Sequence, residues 1–296
     1  MRLRRLPVLG FALLSLGALG GLLNVAHAPA LAAPPFLEAL LVGSTSRQQL
    51  LDVASLFLAR TLPLHVFTED NTAACVLCAD RARWADPARY DSFGLDLNVS
   101  IWAERPAGWW CAQARPSAAL SAFLRRTPRR ALPRHLLVLD DDTWVNVRRL
   151  RALLVQLGRE RASDADAPLY LGFTGHQFRD LPEPPPFCYG GGGYVLNRAA
   201  LLALLAPSAP RSRVSWLDAC NARKAGGRWC HYHSDWVVGQ CLLRAAGAAC
   251  DWRAAAELFV QAVPSGGAAA CMAEKVACHG GLGVAELVQG YTGLLP

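Results

Sequence analysis

The stretch "LLVLDDDTWVN", Leu136 to Asn146, runs an apolar segment straight into three carboxylates, Asp140, Asp141 and Asp142. Adjacent like charges repel, and a buried carboxylate is costly unless it is paired or bound to a cation. Extended upstream, "RHLLVLDDD" reads as a buried strand with the acids at its carboxyl end. Downstream, "VRRLRALLVQLGRE" reads as a helix with Leu150, Leu153, Leu154 and Leu157 on one face. If the backbone stays extended, Asp140 and Asp142 share one side while Asp141 faces the other. Hard divalent cations such as Mg²⁺ or Mn²⁺ take oxygen ligands and need only one or two carboxylates, with diphosphate oxygens and water completing the shell. A plainer reading is that Asp142 or Thr143 caps the following helix. The triplet alone does not choose between them.

Further upstream, "FLEALLVGSTS" is an apolar strand ending in small polar residues, and "RQQLLDVASLFLAR" has helical spacing. "LPLHVFTED" reads as a second strand. Strand, helix, strand opens a parallel-sheet α/β domain, whose ligands gather at the carboxyl ends of the strands. "PSAALSAFLRR" predicts another helix, "APLYLGFTG" another strand, and "CYGGGGYVLNRAALLALLAP" a glycine turn followed by a helix that stops at Pro207. The Cys- and Trp-rich stretch from Asn71 to Pro116 takes no clear assignment.

The 296 residues are 53% hydrophobic, enough for one large α/β domain or two small ones. The net charge of +7 comes from scattered arginines, and no basic stretch carries repeated aromatics, which argues against nucleic-acid binding. A positive surface is compatible with an anionic nucleotide-sugar or a membrane. At the N-terminus, "MRLRR" precedes an uncharged run from Leu6 to His27, just long enough to span a bilayer. Arg2, Arg4 and Arg5 would hold that end in the cytosol. "AHA", Ala26 to Ala28, alternatively resembles a signal-peptidase site. Residues 1–28 are thus a signal anchor or signal peptide, 29–36 a Pro/Ala linker, and 37–296 a luminal domain. Ten cysteines behind a secretory leader favour disulfides over zinc, although Cys75-x-x-Cys78 and Cys271…Cys278 have spacings that zinc also uses. Asn98-Val99-Ser100 is a glycosylation acceptor.

Three further features carry chemistry. Gly190 to Gly193, set between aromatics, imply close backbone approach or positive φ angles beside a ligand, or simply a flexible turn. In "HYHSDWVVGQCLL", Asp235 lies beside His231 and His233 and starts a helix-like run. It is placed either to take a proton from an acceptor hydroxyl or to cap that helix. His279 in "VACHGGL" sits between an apolar strand and glycines.

The order of these motifs resembles the Fringe-like β1,3-glycosyltransferases, a group that includes the core-1 galactosyltransferases. "VLDDDTWVN" is similar to that family's metal motif, "GGGGY" to its glycine turn, and "SDWVVGQCL" to its acidic helix start. "LLVGSTSRQQLLDVASLFLARTLPLHVFTED" looks like its opening strand, helix and strand. The resemblance runs from about Leu40 to the end, with the Cys/Trp-rich insert poorly covered. It implies a GT-A type fold, a mostly parallel central sheet flanked by helices, that uses a UDP-sugar and Mn²⁺. Residue by residue, it implies that Asp142, Asp140 and His279 hold the metal and that Asp140 and Asp141 meet the nucleotide-sugar. It further implies that Ser44 and Thr45 contact the nucleotide, Gly191 and Gly192 line the cleft, and Asp235 is the catalytic base. Ser234 departs from the family's first acid, and Trp236 replaces a smaller residue, which would reshape the acceptor pocket. The function implied is inverting β1,3-transfer of GlcNAc or Gal onto a glycan or glycoprotein. The location implied is a single-pass type II protein of the Golgi membrane, or a secreted one after cleavage. The alternatives are a core-1 type galactosyltransferase and a catalytically inactive glycan-binding relative.

Overall fold

A computed structural model describes residues 2–5, 33–44, 47–68, 115–162, 166–173, 187–225, 234–251, 259–260, 267–279 and 282–293. Thr45, Asn98, His231, His233, Cys75 and Cys78 lie outside these residues, as does the apolar run from Leu6 to His27. Among the described residues, no helix is long and apolar enough to cross a membrane.

The main sheet is built from β1 (Arg2–Arg5), β2 (Leu37–Gly43), β3 (Leu64–Thr68), β4 (His135–Asp140), β6 (Tyr170–Gly172), β7 (Tyr194–Asn197) and β8 (Cys250–Asp251). Its order is β1-β3-β2-β4-β7-β6-β8. β3, β2 and β4 are parallel neighbours, and β6 pairs parallel with β8. β7 runs against both β4 and β6. The mixed α/β architecture with a mostly parallel central sheet is therefore as the sequence implies. β1 pairs antiparallel with β3. That pairing differs from the expectation that Arg2, Arg4 and Arg5 lie across a membrane from the domain; the edge of β3 offers unpaired backbone groups that a strand can satisfy.

β2 shows why the opening run is continuously apolar. Leu37, Ala39 and Leu41 face one core, whereas Leu40 and Val42 face the other. A strand covered on both faces has no polar side to alternate with. On the first face lie α1 (Gln48–Leu58) and α3 (Val147–Glu160). α3 buries Leu150, Leu154 and Leu157, with Leu153 partly buried beside them, as its 3.6-residue spacing predicts. On the second face lie α2 (Arg115–Arg126), α4 (Arg198–Leu205), α5 (Trp216–Ala225) and α6 (Ser234–Ala246).

A small second sheet orders β5 (Trp144–Val145), β10 (Ala277–Cys278) and β9 (Phe259–Val260). It is flanked by α7 (Gly267–Glu274) and α8 (Val284–Thr292). Its function is positional. Antiparallel pairing of Trp144 with Cys278 brings the segment after the acid triplet beside the segment before His279.

β7 is the element that the sequence hid. The sequence places "YVLN" with the glycine turn and the helix after it, yet it forms an antiparallel strand between β4 and β6. Because it runs backwards, its amino end delivers the glycines to the edge where β2, β3 and β4 deliver their carboxyl ends. Gly193 makes the entry into this strand with φ of 78°, a backbone conformation that disfavours any side chain.

Candidate active site

The acid triplet leaves the strand in a tight turn, in which the Thr143 N–H donates to the Asp140 carbonyl at 3.2 Å. Extended geometry ends there, at Asp140, and Asp141 and Asp142 lie in the turn. Arg47 reaches both Asp141 (Oδ1, 3.2 Å) and Asp142 (Oδ2, 2.7 Å) through the same Nη2. The capping reading is also settled. Asn146, not Asp142 or Thr143, caps α3, its Oδ1 accepting the Arg149 N–H at 3.0 Å. The signal was available, because Asn immediately before an apolar-periodic run is a strong N-cap. None of the three acids is therefore held in place by capping this helix.

Each acid has a different setting. Asp141 is buried, and its Oδ2 accepts the backbone N–H of Ser44 at 3.3 Å. Burial raises its pKa, with Arg47 acting in the opposite direction. Burial, then repulsion from Asp142, pushes Asp140 up to about 7. For Asp142 burial also acts upward, but His279 and Arg47 outweigh it and bring the carboxyl down to about 2. His279 lies with Nδ1 3.2 Å from Asp142 Oδ1 and 3.2 Å from the Thr143 hydroxyl oxygen. Burial lowers the imidazole's pKa, but the Asp142 and Asp140 carboxylates together raise it. Asp142 Oδ1 is buried and, among the described residues, has no hydrogen bond of good geometry.

The glycine turn, a short 3₁₀ segment from Gly190 to Gly192, faces this cluster. The Thr143 hydroxyl donates to the Gly191 carbonyl at 2.7 Å. A Cβ on Gly191 would stand 2.6 Å from His279 Nε2, so close approach, not merely flexibility, requires glycine here. Gly190 donates its N–H to Asp235 Oδ2 at 2.7 Å, and the Trp236 N–H donates to Asp235 Oδ1 at 2.8 Å. Asp235 lies in the first turn of α6, yet one oxygen ties that helix to the glycine turn. The Tyr170 hydroxyl, donating to the carbonyls of Cys188 (3.2 Å) and Asp235 (3.4 Å), fastens the same junction to β6.

These groups line one cavity of about 230 Å³, whose wall includes Arg47, Arg115, Asp140, Asp142, Asp235 and His279. Asp141, Gly190, Gly191 and Ser234 also contribute to it. Ser44 is buried behind the wall with its N–H on Asp141, and Gly192 is buried beneath the turn. Trp236 lies below the cleft wall, next to Asp235 on α6. It is buried in the second core, its ring 4.9 Å from that of Phe187. Arg47 and Arg115 were not foreseen; both sit at helix starts, remote in sequence from the acids they approach.

Among the described residues, three disulfides anchor the segments that carry the site. Cys188–Cys250 fixes the residue two before the glycine turn to β8. Cys220–Cys241 ties α5 to α6, the helix that carries Asp235. Cys271–Cys278 holds the residue just before His279, so this pair is not a zinc half-site. Among the described residues, no cysteine is free.

Among the described residues, no three His, Cys, Asp or Glu side chains form a ready metal cage. What the donor set offers is narrower: the buried Oδ1 of Asp142, in contact with the His279 imidazole, with Asp140 next to them. Two protein ligands suffice for a hard cation that takes its other oxygens from a diphosphate and water. The residues fit such an ion only in company with a phosphate-bearing ligand.

No family model matches the chain. Over 113 residues, 38% of its length, it is 32% identical to a human (Homo sapiens) protein, chondroitin sulfate glucuronyltransferase. The matched stretch spans 12% of that relative's own length. The similarity supports kinship with glycosyltransferases at that general level.

Proposed function

We propose that this chain is an inverting, metal-dependent glycosyltransferase of Fringe-like type that moves a sugar from a UDP-sugar onto a hydroxyl of a glycan or glycoprotein. One observation supports it above the others. The Asp235 carboxylate and the Asp142–His279 pair line the same cavity, with the glycine turn between them.

In this reading, Asp142 and His279, with Asp140 beside them, hold Mn²⁺, which when bound neutralises charge on the leaving diphosphate. Asp235 accepts the proton of the acceptor hydroxyl as its oxygen bonds to the anomeric carbon and the bond to UDP breaks. Two backbone N–H groups fix the Asp235 carboxylate, so its orientation does not depend on substrate. No covalent intermediate is needed. The disulfides are in keeping with a secretory-pathway lumen. The β1,3 linkage follows from the motif resemblance. The relative's name adds a glucuronosyl donor to Gal and GlcNAc, and the guanidinium groups of Arg47 and Arg115 in the cavity suit an anionic donor.

The test is binding and hydrolysis of UDP-Gal, UDP-GlcNAc and UDP-glucuronic acid with Mn²⁺ and with EDTA. Turnover of one donor only with metal is expected; no binding of any donor at any Mn²⁺ concentration sinks the reading. Asp235→Asn should lower transfer by roughly 10²–10⁴-fold and leave UDP affinity within about twofold. Retained transfer would move the base elsewhere.

A further inference from the structure

We propose that Arg47 is an internal counter-cation: it holds Asp141 and Asp142 while the cleft lacks donor, then passes to the donor's diphosphate, so that metal and nucleotide binding are coupled through it. The inference rests on the metal–diphosphate reading above and adds to it a residue and an order of events.

The geometry makes the arginine the partner able to leave. Asp141 is pinned by the Ser44 N–H, and its Oδ2 lies 2.9 Å from where a Cβ on Gly43 would be, so the strand end crowds it. The side chains of Asp141 and Asp142 are 3% and 18% exposed, whereas that of Arg47 is 40% exposed. Its contact uses one nitrogen, Nη2, for both carboxylates, not the bidentate fork that makes arginine–carboxylate pairs hard to part. Arg47 also directly precedes α1, at the sheet edge where the acids leave β4.

A divalent ion approaching Asp142 therefore meets a guanidinium 2.7 Å from the same carboxylate. The two cations repel, and binding one requires displacing the other. A diphosphate removes the conflict, because it gives Arg47 a bidentate anionic partner and gives the metal its missing oxygens. Metal alone should bind weakly, and nucleotide alone should still engage Arg47.

Two titrations on the full chain test this: free Mn²⁺ without nucleotide, followed by electron paramagnetic resonance, and UDP in EDTA, followed by calorimetry. Arg47→Gln should bind Mn²⁺ about tenfold more tightly and UDP about tenfold more weakly, the size of one charged hydrogen bond. Arg47→Lys, which keeps the charge, should fall between the two in both titrations, and it decides the matter if the Gln variant does not fold. Variants that weaken both ligands, or change neither, overturn the proposal. Wild-type chain that binds UDP in EDTA but never binds Mn²⁺, with or without UDP, overturns the metal reading instead, and the UDP arm still reports on Arg47 as an anion ligand.

Discussion

At the amino end of β4 polar side chains meet neutralising or hydrogen-bonding partners; at its carboxyl end, six residues along the same strand, like charges crowd together. At the first end His65 and Glu38, both buried, meet at 2.8 Å, and His135 Nδ1 contacts the Phe36 carbonyl at 3.1 Å. Asn197 caps α4 through the Ala200 N–H, and Arg198 donates to the carbonyls of Leu132 and Arg129. At the other end three carboxylates crowd around the Arg47 guanidinium and the His279 imidazole, with Arg115 in the same cavity. The amino end even has the larger hollow, about 760 Å³ against 230 Å³, but Leu154, Leu157, Leu169 and Leu202 form much of its lining. Size does not pick the functional end; unresolved charge does. Paired groups hold the fold together, and the crowded ones are where the proposed metal and diphosphate would offset the repulsion.

That contrast can be broken or sharpened by mutation. The largest stability effect belongs at the satisfied end. His65→Leu leaves Glu38 buried without its partner and should cost about 3–5 kcal/mol in urea unfolding, most of it recovered in the Glu38→Leu, His65→Leu double variant. Next comes the glycine turn. Gly191→Ala must push His279 aside and should weaken Mn²⁺ binding in the presence of UDP by about 10–100-fold. Gly158, in α3 with open space around its Cβ position, should instead accept Ala with a gain of about 0.5–1 kcal/mol. At the crowded end, Asp140→Asn removes a charge that burial and Asp142 both oppose. In EDTA at pH 8 it should stabilise the fold, by on the order of 1 kcal/mol after allowance for partial exposure, while impairing transfer. A destabilised variant would mean that the three acids are not in conflict.

The smallest effect is a pH slope. Burial lowers the His135 pKa, so the fold prefers the neutral ring. Its contribution is fully present above the unfolded-state value of about 6.5 and is lost as pH falls through the depressed folded one. Thermal unfolding between pH 7.5 and 5 should decline less steeply in His135→Gln than in the wild type.

Elements that bury a regular pattern were legible from the residues. "VRRLRALLVQLGRE" matches α3 from Val147 to Glu160, and the first strand, helix and strand fall within two or three residues of their observed ends. β7 was not legible, because four residues after a glycine run and before "RAALLALL" carry no period of their own; its pairing with β4 and β6 decides its conformation. In the site, motif order brought the acids, the glycines, Asp235 and His279 to attention, and the fold brings them to one cavity. Arg47 escaped because its partners are 94 and 95 residues away, and no local pattern announces a through-space ion pair. Asn146, by contrast, carries a local cap signal directly before the apolar-periodic run of α3.

The small sheet has a consequence in time. Thr143 and His279 are 136 residues apart, and they meet only because β10 pairs with β5. A nascent chain synthesised as far as Asp251 already possesses every strand of the main sheet, but not its histidine. Contacts of such long sequence separation close late and slowly. Closure of the cleft thus waits on the segment that carries His279, whose neighbours Leu282, Leu287 and Tyr291 also complete the first core.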